Sequence, residues 1–161
     1  MHDELVSALL RAAPGFAARW EAYLASWKEE EPGDYNAMSE FAHYVVESYA
    51  TGHTKWFRAF FDTVEQFLCS AIPAVRSILA IGLFEDIQAI SSHRPFGDRV
   101  FESWLGPKSL EAWREVDENM RRAAEQARSN DTSPGIDVQA LLSQVENPEL
   151  RKMIEALYWR K

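Results

Sequence analysis

"KWFRAFFDTVEQFLCS", residues 55–70, decides the fold class of this chain. Phe57, Phe60, Phe61, Val64, Phe67 and Leu68 recur at steps of three and four, the spacing that stacks side chains on one face of an α-helix. The same periodicity holds outward in both directions, and no run alternates as a strand would. Upstream it predicts helices over 3–12, over 16–30 through Phe16, Trp20, Tyr23, Leu24 and Trp27, and over 37–51 through Phe41, Val45 and Tyr49. Pro14-Gly15 and Pro32-Gly33 supply the breaks. Downstream it predicts a helix from Pro73 to about Ser92, a brief one around 98–105, and a long one from Pro107 to about Arg128. "SNDTSPG", residues 129–135, reads as a linker, and two short amphipathic helices follow it. The expected fold is all-α: a bundle of about six to seven helices over 1–128, then a C-terminal helical hairpin, 136–161, docked on the same domain.

A chain of 161 residues suits one domain with a sizeable core. Its single cysteine, Cys69, excludes an internal disulfide and suits a reducing compartment. Its aromatic neighbours predict a small buried side chain rather than a reactive thiol. No apolar run approaches the roughly 20 residues of a membrane-spanning helix, and the acidic start does not resemble a signal peptide. A cytoplasmic protein is expected. The charge is uneven: residues 1–92 carry 13 acidic and 6 basic residues, residues 93–161 carry 12 and 11. Such a first half disfavours direct nucleic-acid binding and favours a basic partner.

"IGLFEDIQAI", residues 81–90, places two carboxylates in one of the most apolar stretches. On an α-helical wheel with Val75 at zero, Leu79 falls at about 40° and Asp86 at about 20°, inside the apolar arc. Glu85 lies on its shoulder at about 280°, and Gln88 at about 220° on the polar side. A buried carboxylate needs a counter-charge or strong hydrogen bonds. The expectation is therefore structural: Asp86 pairs with Arg58, Arg94 or Arg99, or caps a neighbouring helix. Gly82 would let a second helix approach closely.

Few residues suggest chemistry. Glu40 and His43 form a Glu-x-x-His pair of the kind di-metal bundles use, with Glu65 and Glu85 available as further ligands. Such sites need the pair twice, and it occurs once. No phosphate loop, nucleophile elbow or cysteine–cysteine metal spacing appears. No cofactor is implied.

"AIGLFEDIQ" at 80–88 and "WLGPKSLEAWREVDE" at 104–118 together resemble an uncharacterised bacterial family of small all-helical proteins. There a Gly-x-x-Glu-Asp-like helix, here Gly82 to Asp86, precedes a Leu-Gly-Pro helix start, here Leu105-Gly106-Pro107. The resemblance spans roughly residues 40–118 and implies an immunity or accessory role, with no catalytic residue to carry over. The leading expectation is a non-enzymatic protein that binds another protein, in concrete form an immunity-type inhibitor of a basic toxin. Glu29, Glu30, Glu31 and Asp34 would steer the encounter, and Trp159 would add a contact surface. The rivals are a metal-dependent helical enzyme using Glu40, His43, Glu65, Glu85 and Asp86, and a homo-oligomeric scaffold, a homodimer through 136–161 being its simplest form.

Overall fold

The stripe that begins the reading is helix α4, Phe57–Cys69, with Phe57, Phe60, Phe61 and Val64 fully buried in the computed structural model. The structure describes residues 2–27, 31–70 and 72–130. Seven α-helices and no strand occur among them, so the fold is all-α. Helix α1 is His2–Ala12, α2 is Ala17–Ser26 behind a 3₁₀ turn at Pro14–Phe16, and α3 is Asp34–Ala50. Helix α5, Pro73–Ser77, runs on through a π-helix, Ile78–Phe84, into α6, Glu85–Ser92. A 3₁₀ helix, Arg99–Trp104, leads to α7, Pro107–Asn130.

The chain divides into two units, Met1–Arg121 and Arg122–Lys161. Of the second, the described part is the end of α7. Ser129 and Asn130, expected in the linker, are still helical. The rest of the linker, the hairpin and Trp159 lie outside the described residues.

The core of the first unit is aromatic. Phe16 contacts Phe41 at 4.7 Å between ring centroids, and Phe41 contacts Phe60 at 6.0 Å, joining the 3₁₀ turn, α3 and α4. Phe84 of the π segment meets Trp113 of α7 at 5.5 Å, edge to face. Tilted and edge-on pairs of this kind satisfy the ring quadrupoles while burying large apolar areas.

The π segment changes which residues face that core. Each wider turn takes up an extra residue, so positions beyond it slip back by about 100°. Slipped once, Ile87 moves from about 120° to about 20°, Ser91 to about 60° and Phe84 to about 80°. All three are buried. Asp86 moves to about 280° and leaves the apolar arc; it is half-buried. Gln88, expected on the polar side, is 3% exposed, and its Nε2 donates to the Trp113 carbonyl at 2.9 Å. The straight wheel thus misplaced both residues for one reason.

An acid does hold helices in register, but it is Glu65. Its Oε1 accepts from the Lys108 N–H at 2.9 Å, and its Oε2 accepts from the Ser109 N–H at 2.7 Å and the Ser109 hydroxyl at 2.6 Å. The carboxylate of α4 therefore caps the free N–H groups at the start of α7. Gly106 makes room for it, since a methyl there would lie 2.5 Å from Glu65 Cδ. Partial burial pushes the Glu65 carboxyl up, but the bonds from Ser109 and from the Lys108 and Ser109 N–H groups outweigh it and hold the group below its usual range.

Two outcomes follow from these contacts. Glu65→Ala should lower stability by about 1–2 kcal/mol near neutral pH, as cap losses do. Because the folded carboxyl titrates below its unfolded value, its contribution is complete above the unfolded pKa and is lost as pH falls through the folded one. Denaturant melts of both proteins at pH 7 and in acid should therefore show the gap closing on acidification; a pH-independent gap would remove the charged cap. Gly82→Ala should cost roughly 1–3 kcal/mol by overpacking, because a methyl there would lie 2.9 Å from Met38 Cβ and 3.3 Å from Tyr35 Cα. An unchanged melting temperature would contradict that close approach.

Candidate protein-binding face

The acidic stretch before α3 is described from Glu31 onward; Glu29 and Glu30 lie outside the described residues. Glu31 is exposed, Pro32 is buried, and Gly33 in extended conformation lets α3 begin at Asp34. Ala37, Met38 and Phe41 turn inward, which leaves Tyr35 outward at 48% exposure. The Gly82 approach sets this first turn of α3 against the π segment. Ile81, beside Gly82 in the chain, is 52% exposed, the highest value among the exposed large hydrophobics of the described residues.

Glu85 and Asp86 follow Ile81 within the next turn and a half. Both are half-buried, and neither has a hydrogen bond or ion pair among the described residues. The bases expected to pair with Asp86 do other things or stand apart. Arg58 donates to the Ser103 carbonyl at 3.3 Å and lies 3.9 Å from Asp62. Neither Arg94 nor Arg99 bonds to Asp86. The expected strut is therefore corrected to a pair of surface acids, because the slip of register turns them off the core.

An exposed tyrosine and an exposed isoleucine thus stand on the two elements that meet at Gly82, with Glu31 and Asp34 near the first in the chain and Glu85 and Asp86 near the second. Aromatic and aliphatic anchors within a polar rim are what protein-binding surfaces use. Neither residue is singled out by the sequence: Ile81, at about 240° on the straight wheel, stands beside Glu85 on the shoulder of the apolar arc, and Tyr35 sits in a run that reads as a turn.

The residues that could have held a metal are dispersed into other work. Glu40 Oε1 accepts from Arg19 Nε at 2.6 Å, and the same guanidinium binds Glu47. Burial opposes the Arg19 charge, but those two carboxylates outweigh it and raise its pKa. Glu65 is the α7 cap, and His43 is exposed. No group of three or more His, Cys, Asp or Glu side chains is placed to share a metal ion among the described residues. Cys69, expected to be buried, is exposed at the end of α4, with its sulfur 3.9 Å from Glu65 Oε1. No helix among the described residues is long and apolar enough to cross a membrane.

Glu85→Gln and Asp86→Asn should each leave stability within about 0.5 kcal/mol of the parent, as substitutions of unpaired surface charges do. Thermal and denaturant melts check this. A loss near 3 kcal/mol for Asp86→Asn, the scale of a broken buried pair, would restore its structural role.

A family model, DUF7674, a domain of unknown function, matches residues 6–122, nearly the whole first unit. No curated protein and no solved structure matches the chain.

Proposed function

We propose that this chain, which belongs to the DUF7674 family, is a non-enzymatic protein-binding protein whose partner is basic. The observation that carries the reading is the juxtaposition of Tyr35 and Ile81, both about half exposed, with acids on either side. A large exposed apolar side chain is tolerated singly on any surface, but two set together by a close helix contact form an anchor point. Tyrosine suits such a point because it covers area at little entropic cost and ends in a hydroxyl.

Charge adds direction. The carboxylates of Glu31, Glu85 and Asp86 lie in the acidic half of the sequence, and a negative field of this kind speeds encounters with a positive surface. The π turn beneath Ile81 fits the same role, since such turns recur where a helix must present particular side chains. In its concrete form the reading is a bacterial immunity-type inhibitor, whose acidic face covers the working surface of a basic toxin. Glu29 and Glu30 would extend the steering charge.

Affinity capture with the full chain as bait tests this at low and high salt, with two variants beside the parent. One reverses charge at Glu31, Glu85 and Asp86; the other is Tyr35→Ala with Ile81→Ala. A basic protein should be retained at low salt and shed as salt rises. Charge reversal should slow its association roughly ten-fold, and loss of the anchors should speed its dissociation at least as much. Retention that is indifferent to salt and to both variants would end this reading.

A further inference from the structure

A second surface, lined by none of the residues of the first, lies where α1 packs on α4. Helix α1 buries Leu5, Val6 and Leu9 and turns Glu4, Ser7 and Arg11 outward. Two adjoining hollows, of about 260 and 440 Å³, run beside this outward line and share Glu4, Gln66 and Phe67. Ala8, Ala12 and Ala59 line the larger one. Side chains this small let another helix axis come close. Ile72, 39% exposed, edges the smaller one.

The charges on this line are self-complementary. Glu4 and Arg11 are seven residues apart, so they stand on one side of the helix about 10 Å apart along its axis. Both line the larger hollow, and neither has an ion pair or hydrogen bond among the described residues. An identical helix laid antiparallel about a two-fold axis would put its Arg11 against Glu4 and its Glu4 against Arg11. The axis would pass between Ser7 and Ala8, where the side chains are small enough for contact. A heterologous helix would need a matching charge pair of its own; a second copy carries it by symmetry.

We propose that this chain forms a two-fold dimer through antiparallel α1–α1 contact over the α1/α4 hollows. The surface is separate from the Tyr35–Ile81 face, so dimerisation leaves that face open and each dimer presents it twice. The contact is built from residues of the first unit.

Sedimentation equilibrium of the full chain, from about 1 to 100 µM, reads the dimer directly across the micromolar range of association. Glu4→Arg alone and Arg11→Glu alone should each weaken dimerisation at least about ten-fold, because each sets like charges against one another twice. The double exchange Glu4→Arg with Arg11→Glu should restore it. Mixing the two single variants should give a heterodimer stronger than either homodimer. Both positions are exposed, and circular dichroism of each variant reports that the fold is kept. A chain monomeric throughout that range overturns the proposal. So does a dimer that both single variants leave intact, which would place the interface elsewhere, and so does a double exchange that fails to restore association.

Discussion

The close approach at Gly82 is the constraint on which much of the first unit rests. Helix α3 lies on the π segment so tightly that a single methyl would meet Met38 Cβ and the Tyr35 backbone. A helix under such contact cannot roll to suit its own sequence. Val75, Leu79 and Leu83 must face the core before the contact, and Phe84, Ile87 and Ser91 must face it afterwards. In a regular α-helix those two sets diverge by about 100°. One extra residue in the turn brings them together, and the π segment supplies it. The wider turn is thus a packing solution, stabilised by the buried apolar area on both sides of it.

The acids then separate by what the backbone around them lacks. Helix α7 begins with free N–H groups close to the core, and a carboxylate there receives hydrogen bonds that offset its own desolvation. Glu65 meets that need from α4, with Gly106 clearing the space. Glu40 is matched instead by a guanidinium, which it shares with Glu47. Glu85 and Asp86 have neither a helix start nor a cation, and they lie toward solvent, where no pairing is required. The contrast between Glu65 and Asp86 is therefore one of unsatisfied neighbours rather than of apolar surroundings.

How much of this was legible in the sequence follows from the range of each effect. Helices α1 to α4 and α7 rest on three- and four-residue periodicity, a local signal, and they occur close to where it places them. The Leu105-Gly106-Pro107 start of α7 was legible too, and the resemblance it carried agrees with the family match. Asp86 and Gln88 depart from the wheel because it assumes a constant turn, and in "IGLFEDIQAI" the slip is marked by Phe84 and Ile87, which a straight wheel sets off the apolar arc. Glu65 was considered as a ligand because its true partners are backbone N–H groups 43 and 44 residues away, which no side-chain pattern reveals. Cys69 was read from its neighbours in sequence, but α4 is leaving the core by its last turn.

The proposed binding role rests on the same contrast between met and unmet groups. A reaction site needs ionisable groups brought together, and cofactor-free or metal-assisted catalysis alike draws on groups whose partners are left unmet until substrate arrives. Here Glu40 and Glu65, two acids of the set expected to react, already have their hydrogen bonds filled by the protein. The exposed side chains of Tyr35 and Ile81 and the unpaired charges of Glu85, Asp86, Glu4 and Arg11 are left unmet by the described residues. Unmet apolar surface beside unmet charge is the currency of association, because burying the first drives binding while the second selects the partner.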